Sequence, residues 1–525
     1  MGSRSAVDMF DAWQAAHDNL IQAAQTFLDT SKTLLQFIDE SPDGLGRHGP
    51  IEDGLLSVCR QIQNIPVAEK RIRESQFILR KIVNVSATLM PINTLPPEIL
   101  SHIFSLLTSS ATCVDDKRYR STKYYHGPRC YHLYPLVAIP AVCSRWRHLA
   151  VSTPSFWSHI DVDQQATGKN RGNVLPRTRL WLERARDAPI SLHIGAITEV
   201  SGHGWELLCL LEPYMTNLIS LKFYSHGGAY FWPILNLYAK ARSLGSESVV
   251  HLALKGAWGL DFISGPFTWP VNAFRGLGSL QMNNLEKERC PNMDDLVALL
   301  VNSPALHTLR LKWIRFATSG GHSYPKIVLS CLRQLQLAYL DDSTLPVLLS
   351  ILEPGQQELH AQLLLEYRAT RESCAAVLSF LKRTNITCLS LSGIPPDGAA
   401  QLAKQLSCVP QLRMLELRYA RDEEWINMDA LLSIIKKNKF RARCPNLQLL
   451  WVNGGIANSE AYIQMRRIIL HYRLSTIVFE DRRETLRESK QKVTEWLRQR
   501  VKNVISNPKR KFRSFEGRER DLYLQ

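Results

Sequence analysis

The 525-residue sequence contains no uninterrupted apolar run of the roughly 18 residues that a membrane-crossing helix requires. The longest candidate, Pro135 to Cys143, is about half that length. The eleven cysteines (59, 113, 130, 143, 209, 290, 331, 374, 388, 408 and 444) include no Cys-x-x-Cys pair. An odd, scattered set excludes a disulfide-stapled scaffold and reads as small core residues in a reducing compartment. The opening Met1-Gly2-Ser3-Arg4-Ser5-Ala6 has no apolar signal core, and Ala6 departs from the myristoylation pattern. The expectation is a cytoplasmic and/or nuclear protein with no membrane partner.

Catalytic signatures are missing too. The sequence has no phosphate-binding G-x-x-x-x-G-K-[ST] loop, no G-x-S-x-G nucleophile elbow, no H-E-x-x-H pair and no EF-hand loop. Cys113, His126, Cys130 and His132 are the best metal candidates, but spacing of this kind is a weak signal and in a Tyr-rich loop they read as incidental. No catalytic, cofactor or metal residue is assigned, and the chain is not expected to be an enzyme.

Acidic residues are in deficit: 48 Asp and Glu stand against 64 Lys and Arg, a formal charge of +16. The surplus is uneven. Within the first 45 residues, seven acids (Asp8, Asp11, Asp18, Asp29, Asp39, Glu40, Asp43) face only Arg4 and Lys32, whereas residues 481–520 hold 14 bases against 6 acids. The excess is largely a property of the tail and does not argue for a protein built throughout to bind nucleic acid. Pro508-Lys509-Arg510-Lys511 resembles a nuclear localisation signal, and residues 493–504 are compatible with a helix.

Five segments emerge from the patterning. Residues 1–90 form a helical, coiled-coil-like arm: Phe10, Trp13, Leu20, Phe27, Leu34 and Phe37 recur at near-heptad spacing, and a second helical stretch runs from about Ala68 to Leu89. The two stretches could pair as a hairpin or serve dimerisation. Residues 91–160 form a compact helical unit, with Thr94 as N-cap, Pro96 and Pro97 in the first turn, and an apolar stripe of Ile99, Leu100, Ile103, Phe104 and Leu107. A polar, Tyr-rich and basic insertion at 108–134 interrupts it. Residues 161–187 read as a linker, 188–480 as a repeat domain and 481–525 as a basic tail.

Leu95-Pro96-Pro97-Glu98-Ile99-Leu100 with Ile103-Phe104, then Val142-Cys143, Arg145-Trp146-Arg147-His148-Leu149-Ala150, Ser152-Thr153-Pro154 and Phe156-Trp157 resemble the F-box-like domain, especially in its fungal form. The resemblance implies a helical module that binds a Skp-type adaptor and thereby a cullin–RING ubiquitin ligase. It places Leu95, Pro96, Ile99, Leu100, Ile103, Val142, Cys143, Trp146 and Leu149 in the module's core or on its adaptor face. The insertion departs from the pattern and bears on whether that face is open.

Beyond residue 188 an apolar-x-x-apolar-x-apolar pattern recurs about central residues 221, 252, 280, 309, 335, 389, 415 and 450. The steps are 31, 28, 29, 26, 54, 26 and 35, and the long one divides in two if the irregular Leu363-x-Leu365 is a unit. Helix-like runs at Leu296–Val301, Val347–Leu352, Ala375–Leu381 and Leu402–Leu406 precede strands, as in a leucine-rich-repeat solenoid. Where such repeats carry Asn or Cys, this sequence has Leu285, Ile314, Leu340, Ile394 and Ala420, so an irregular arc is expected. Residues between the leucines would face a concave surface: Lys222, Gln281, Arg310, Lys312, Gln336, Ser390, Glu416 and Arg418 are the target-binding candidates.

The expected fold is α/β: N-terminal helices and a small helical module, then an irregular repeat solenoid. The expected function is a substrate-recognition adaptor of an SCF-type ligase, with a Skp-type adaptor and an unknown target protein as partners. Two alternatives stay open: a scaffold whose drifted module only caps the solenoid, and a basic nucleic-acid-binding protein using the tail and insertion.

Overall fold

The computed structural model describes residues 5–40, 50–86, 88–109, 133–162, 174–195, 203–224, 231–243, 250–255, 268–285, 290–316, 324–364, 370–392, 406, 408–418, 446–453, 474–480, 495, 498–499 and 501–506. The chain divides into two units, Met1–Pro96 and Pro97–Gln525.

The first unit is helical: α1 (Ala6–Glu40), α2 (Pro50–Ile62), α3 (Ile65–Val85) and a 3-10 turn at Pro91–Thr94. Ser5 and Asp8 cap α1 reciprocally, the Asp8 carboxylate accepting from the Ser5 N–H at 3.0 Å and the Ser5 hydroxyl from the Asp8 N–H at 3.2 Å. Helix α2 was not expected. It is separated from α3 by a turn at residues 63–64, and Pro66 sits in the first turn of α3, where its missing N–H breaks no helical hydrogen bond. The near-heptad side chains Phe10, Trp13, Leu20, Phe27, Leu34 and Phe37 are all exposed.

The second unit opens with α4 (Pro97–Ser109), α5 (Leu133–Val142) and α6 (Ser144–Ser152), which pack on one another. Leu100, Phe104, Leu136, Ile139, Ala150, Phe156 and Trp157 form their buried core. Phe104 lies 4.8 Å from the Trp146 ring and 6.2 Å, edge-on, from Phe156. The Trp157 indole donates to the Ala150 carbonyl at 2.7 Å and meets Trp181 of α7 (Val174–Ala185) edge-to-face at 5.8 Å. Helix α7 falls in the segment expected to be a linker; its Trp181 and Leu182 are buried, which ties the module to the adjoining sheet.

Among the described residues that sheet has 13 strands, all parallel, each paired with the sheet's next strand along the chain. They are β1 (His159–Val162), β2 (Ile190–Ile194), β3 (Leu218–Tyr224), β4 (His251–Lys255), β5 (Ser279–Asn283), β6 (Thr308–Lys312), β8 (Gln334–Ala338), β10 (Leu359–Leu364), β11 (Ile386–Ser392), β12 (Met414–Arg418), β13 (Leu449–Asn453), β14 (Thr476–Glu480) and β15 (Asn503–Ser506). A separate pair, β7 (Ile327–Leu329) with β9 (Leu352–Pro354), lies in two of the connections. Helices also lie in the connections: α8 (His203–Leu211), α9 (Phe231–Ser243), α10 (Met293–Val301), α11 (Thr344–Ile351), which runs directly into β9, and α12 (Arg371–Lys382). Parallel strands require such crossovers, because a hairpin cannot return the chain to the same end.

Register explains the sequence period. Leu221, Leu252, Leu280, Leu309 and Leu335 are successive partners and all buried. Because side chains alternate along a strand, this row and the one two residues on (Phe223, Leu254, Met282, Leu311, Leu337) share a face. The ladder is longer than the leucine pattern suggested. Ile160 and Leu192 precede it in register, and Ile477 and Val504 continue it. The irregular unit is shifted by two residues from the expected one: Ala361, not Leu363, stands between Leu335 and Leu389. Residues 503–504, expected to be helical, begin β15 instead; Val504 there pairs with Ile477.

At the position expected to carry Asn, Leu285, Ile314 and Leu340 are buried. Residues 394 and 420 lie outside the described residues, as does most of the helix-like run 402–406. A backbone device recurs beside those apolar residues. Asn284, Trp313 and Tyr339, each immediately after a strand, have φ of 55°, 49° and 53°. Their N–H groups donate to Lys312, Ala338 and Leu364 at 2.8, 2.9 and 2.8 Å. The left-handed turn aims each amide at the neighbouring strand, where it meets an otherwise terminal carbonyl.

Candidate functional site

Helix α4 has two apolar faces because its aliphatic residues recur at both three and four positions. Leu100 and Phe104 point into the core, whereas Ile99 is 49% and Leu106 57% exposed, with Leu107 also exposed and Ile103 half-buried. Helix α5 adds exposed Val137 and, at its end, Val142, 49% exposed. Along α4, Ile99 and Leu106 are seven residues apart and so share one helix face, an exposed aliphatic stripe suited to docking.

The nine residues expected on the core or adaptor face thus separate. Ile99 and Val142 are exposed; Leu100 is buried and belongs to the core. Ile103, Trp146 and Leu149 are half-buried. Cys143 is the N-cap of α6, its sulfur accepting from the Trp146 N–H at 3.4 Å. Leu95 (half-buried) and Pro96 (exposed) fall in the first unit.

The target-binding candidates also separate. Lys222, Gln281, Arg310 and Gln336 occupy one row across the sheet, with Ala253 between the first two, and all are half-buried. Arg310 donates to the Gln334 side chain at 3.1 Å. Lys312 lies in the next row, its ammonium 4.1 Å from the Trp313 ring centroid. Ser390 and Glu416 continue the Lys222 row but are buried, which corrects the expectation that these two target-binding candidates stand on an accessible surface. The reason is composition: Cys388, Met414, Leu449, Trp451 and Val478 form a buried apolar cluster around them. The side chain of Arg418 lies outside the described residues, as do Cys113, His126, Cys130, His132 and the 508–511 cluster.

A cavity of about 610 Å³ adjoins the polar half of this face. Ser105 and Thr108 of α4, Leu136 of α5 and Phe156 line one side, and β1 to β5 supply the other through His159, Ser191, His193, Ser220, Lys222, His251 and Gln281. At the β1–β2 end, Asp161 stands opposite His193 in register, with Oδ1 3.1 Å from Nδ1. His159, two residues before Asp161, brings Nε2 to 3.6 Å from Oδ2. Further along, burial lowers the His251 pKa, helped by His307 and Lys222. Sequence reasoning missed this group because its histidines are 34 residues apart (159 to 193). The usable signal was the alternation His159-x-Asp161 on a strand, which sets both side chains on one face.

Residues 92–163 match the F-box-like family, and no curated protein matches the chain significantly. Domains of this family in general bind Skp-type adaptors of cullin ligase complexes. The match includes α4 to α6, the 3-10 turn that carries Phe156, and β1. Among the described residues, no helix is long and apolar enough to cross a membrane.

Proposed function

We propose that this protein is a non-catalytic substrate-recognition adaptor of an SCF-type cullin–RING ubiquitin ligase. The F-box-like module docks on the Skp-type subunit, and the parallel sheet, read as an irregular leucine-rich-repeat solenoid, offers a target its polar face around Lys222, Gln281, Arg310 and Gln336. Holding a target lysine near a charged conjugating enzyme accelerates transfer by raising effective concentration. The observation that carries the reading is that Ile99 and Leu106, one i,i+7 pair on α4, and Val137 and Val142 of α5 leave aliphatic side chains exposed on a module that matches the family. The sequential parallel register and its buried leucine row support the repeat reading.

The test is co-purification of the full chain with a Skp-type subunit. Wild type should retain the subunit, and Ile99→Asp combined with Leu106→Asp should lose it at unchanged helical content. These exposed positions are better probes than Trp146, whose ring supports Phe104. A wild-type protein that does not bind, or a double variant that binds equally, overturns the reading.

A further inference from the structure

The inner end of the polar cavity has the geometry of a metal site. We propose that His159, Asp161 and His193 bind one divalent ion of the zinc class, with an open coordination position facing the cavity. One ligand atom from each of the three residues lies within 4.8 Å of the others. Zinc bonds to imidazole nitrogen and carboxylate oxygen are about 2.0–2.2 Å, so tetrahedral ligand atoms sit roughly 3.3–3.5 Å apart. The observed 3.1 Å between His193 Nδ1 and Asp161 Oδ1, and 3.6 Å between His159 Nε2 and Asp161 Oδ2, bracket that range. Small side-chain rotations close the triangle.

Three features favour an ion over a simple hydrogen-bonded cluster. First, the side chains are held by strands: Asp161 and His193 are register partners, His159 shares their face, and the Asp161 carbonyl accepts from Arg177 at 3.1 Å. Rigid supports of this kind suit a metal site better than loops do. Second, the group is sheltered, with His193 4%, Asp161 11% and His159 35% exposed at the side chain. Third, the imidazole rings are edge-to-face with centroids 4.4 Å apart. At that separation each imidazole can direct one ring nitrogen toward a single ion between them.

Three protein ligands leave a zinc ion one position for water or an exogenous group. That position opens on the cavity that Lys222 and the hydroxyls of Ser191 and Ser220 line. Lys222 is the register partner of His193, and its positive charge opposes a bare cation but favours an anionic fourth ligand. The site goes beyond the adaptor reading and does not depend on it, since Ile99 and Leu106 are not among its residues.

The experiment uses the full chain without a histidine tag, stripped by a chelator and titrated with zinc in a calorimeter, with cobalt(II) absorption as a second readout. Wild type should take up one saturable equivalent that raises its melting temperature, without thiolate-to-cobalt charge-transfer bands. Asp161→Asn and His193→Gln should each weaken that equivalent by roughly tenfold or more. If a buried substitution prevents folding, His159→Gln, at the more exposed position, gives the same test. No saturable equivalent, equal affinity in folded variants, or cobalt spectra dominated by thiolate overturns the proposal.

Discussion

Trp313 and Tyr339 stack at 5.2 Å with an interplanar angle of 16°, and each has a left-handed backbone. For a bulky residue that conformation costs on the order of 1–2 kcal/mol, which glycine escapes. Removing the ring forfeits about 0.5–1.5 kcal/mol of stacking whichever small residue replaces it. Trp313→Gly should therefore be less destabilising than Trp313→Ala, the reverse of the usual order. Urea denaturation of the two variants checks the sign; an alanine variant as stable as the glycine one would remove the strain argument.

Phe104 is the hinge of the helical module's core, in contact with both Trp146 and Phe156. Phe104→Ala should cost about 3–5 kcal/mol and loosen α4 first. Hydrogen exchange should show lost protection at residues 97–109 before the strands respond.

His251 and His307 lie 6.0 Å apart, and both have pKa values below the ordinary imidazole range. Burial is the main cause in each case, followed for His251 by the charge of His307 and then of Lys222, and for His307 by that of Arg333. The unfolded chain thus binds more protons than the folded one, so stability rises with pH across the transition. Above about pH 6.5 both states are neutral at these sites and the contribution is flat; below it, stability falls. Melting temperature measured from about pH 7.5 to 5.5 should decline on the acid side, and His251→Gln should flatten the slope. An unchanged slope in that variant would assign the acid sensitivity elsewhere.

Two glycines predict opposite outcomes. A Cβ at Gly355 would lie 2.6 Å from the Ser330 carbonyl oxygen and 2.9 Å from its Cα, backbone atoms that cannot swing aside. Gly355→Ala should destabilise by about 1–3 kcal/mol. At Gly54, within α2, a Cβ meets nothing within 4 Å, and Gly54→Ala should stabilise by about 0.5–1 kcal/mol. Thermal melts of the two variants should shift in opposite directions.

The period of the sheet was legible because leucine marks it: Leu280, Leu309 and Leu335 stand at the same register position. Where other residues fill that position, the pattern failed. Ala361 is too small to register in an apolar scan, and Ile160, Leu192, Ile477 and Val504 lie in strands without the full leucine motif. The helical module was read from ordered submotifs, but sequence could not divide Ile99 from Leu100, because adjacent positions take opposite environments only once the helix is docked. The buried apolar half of the opposite face was visible in Cys388, Met414, Leu449 and Trp451, yet alternation was read as core against solvent and not as two cores. The histidine–aspartate cluster needed register, which no single strand encodes.

Sequential pairing has a kinetic consequence. Leu280 meets Leu309 and Leu309 meets Leu335, so every rung closes a loop of similar, moderate length and none waits for a distant segment of chain. Loop-closure entropy grows only slowly with length, so no single rung stands out as the obligatory first. Such a ladder can zip from several starting points, and a fault in one rung delays its neighbours more than the far end.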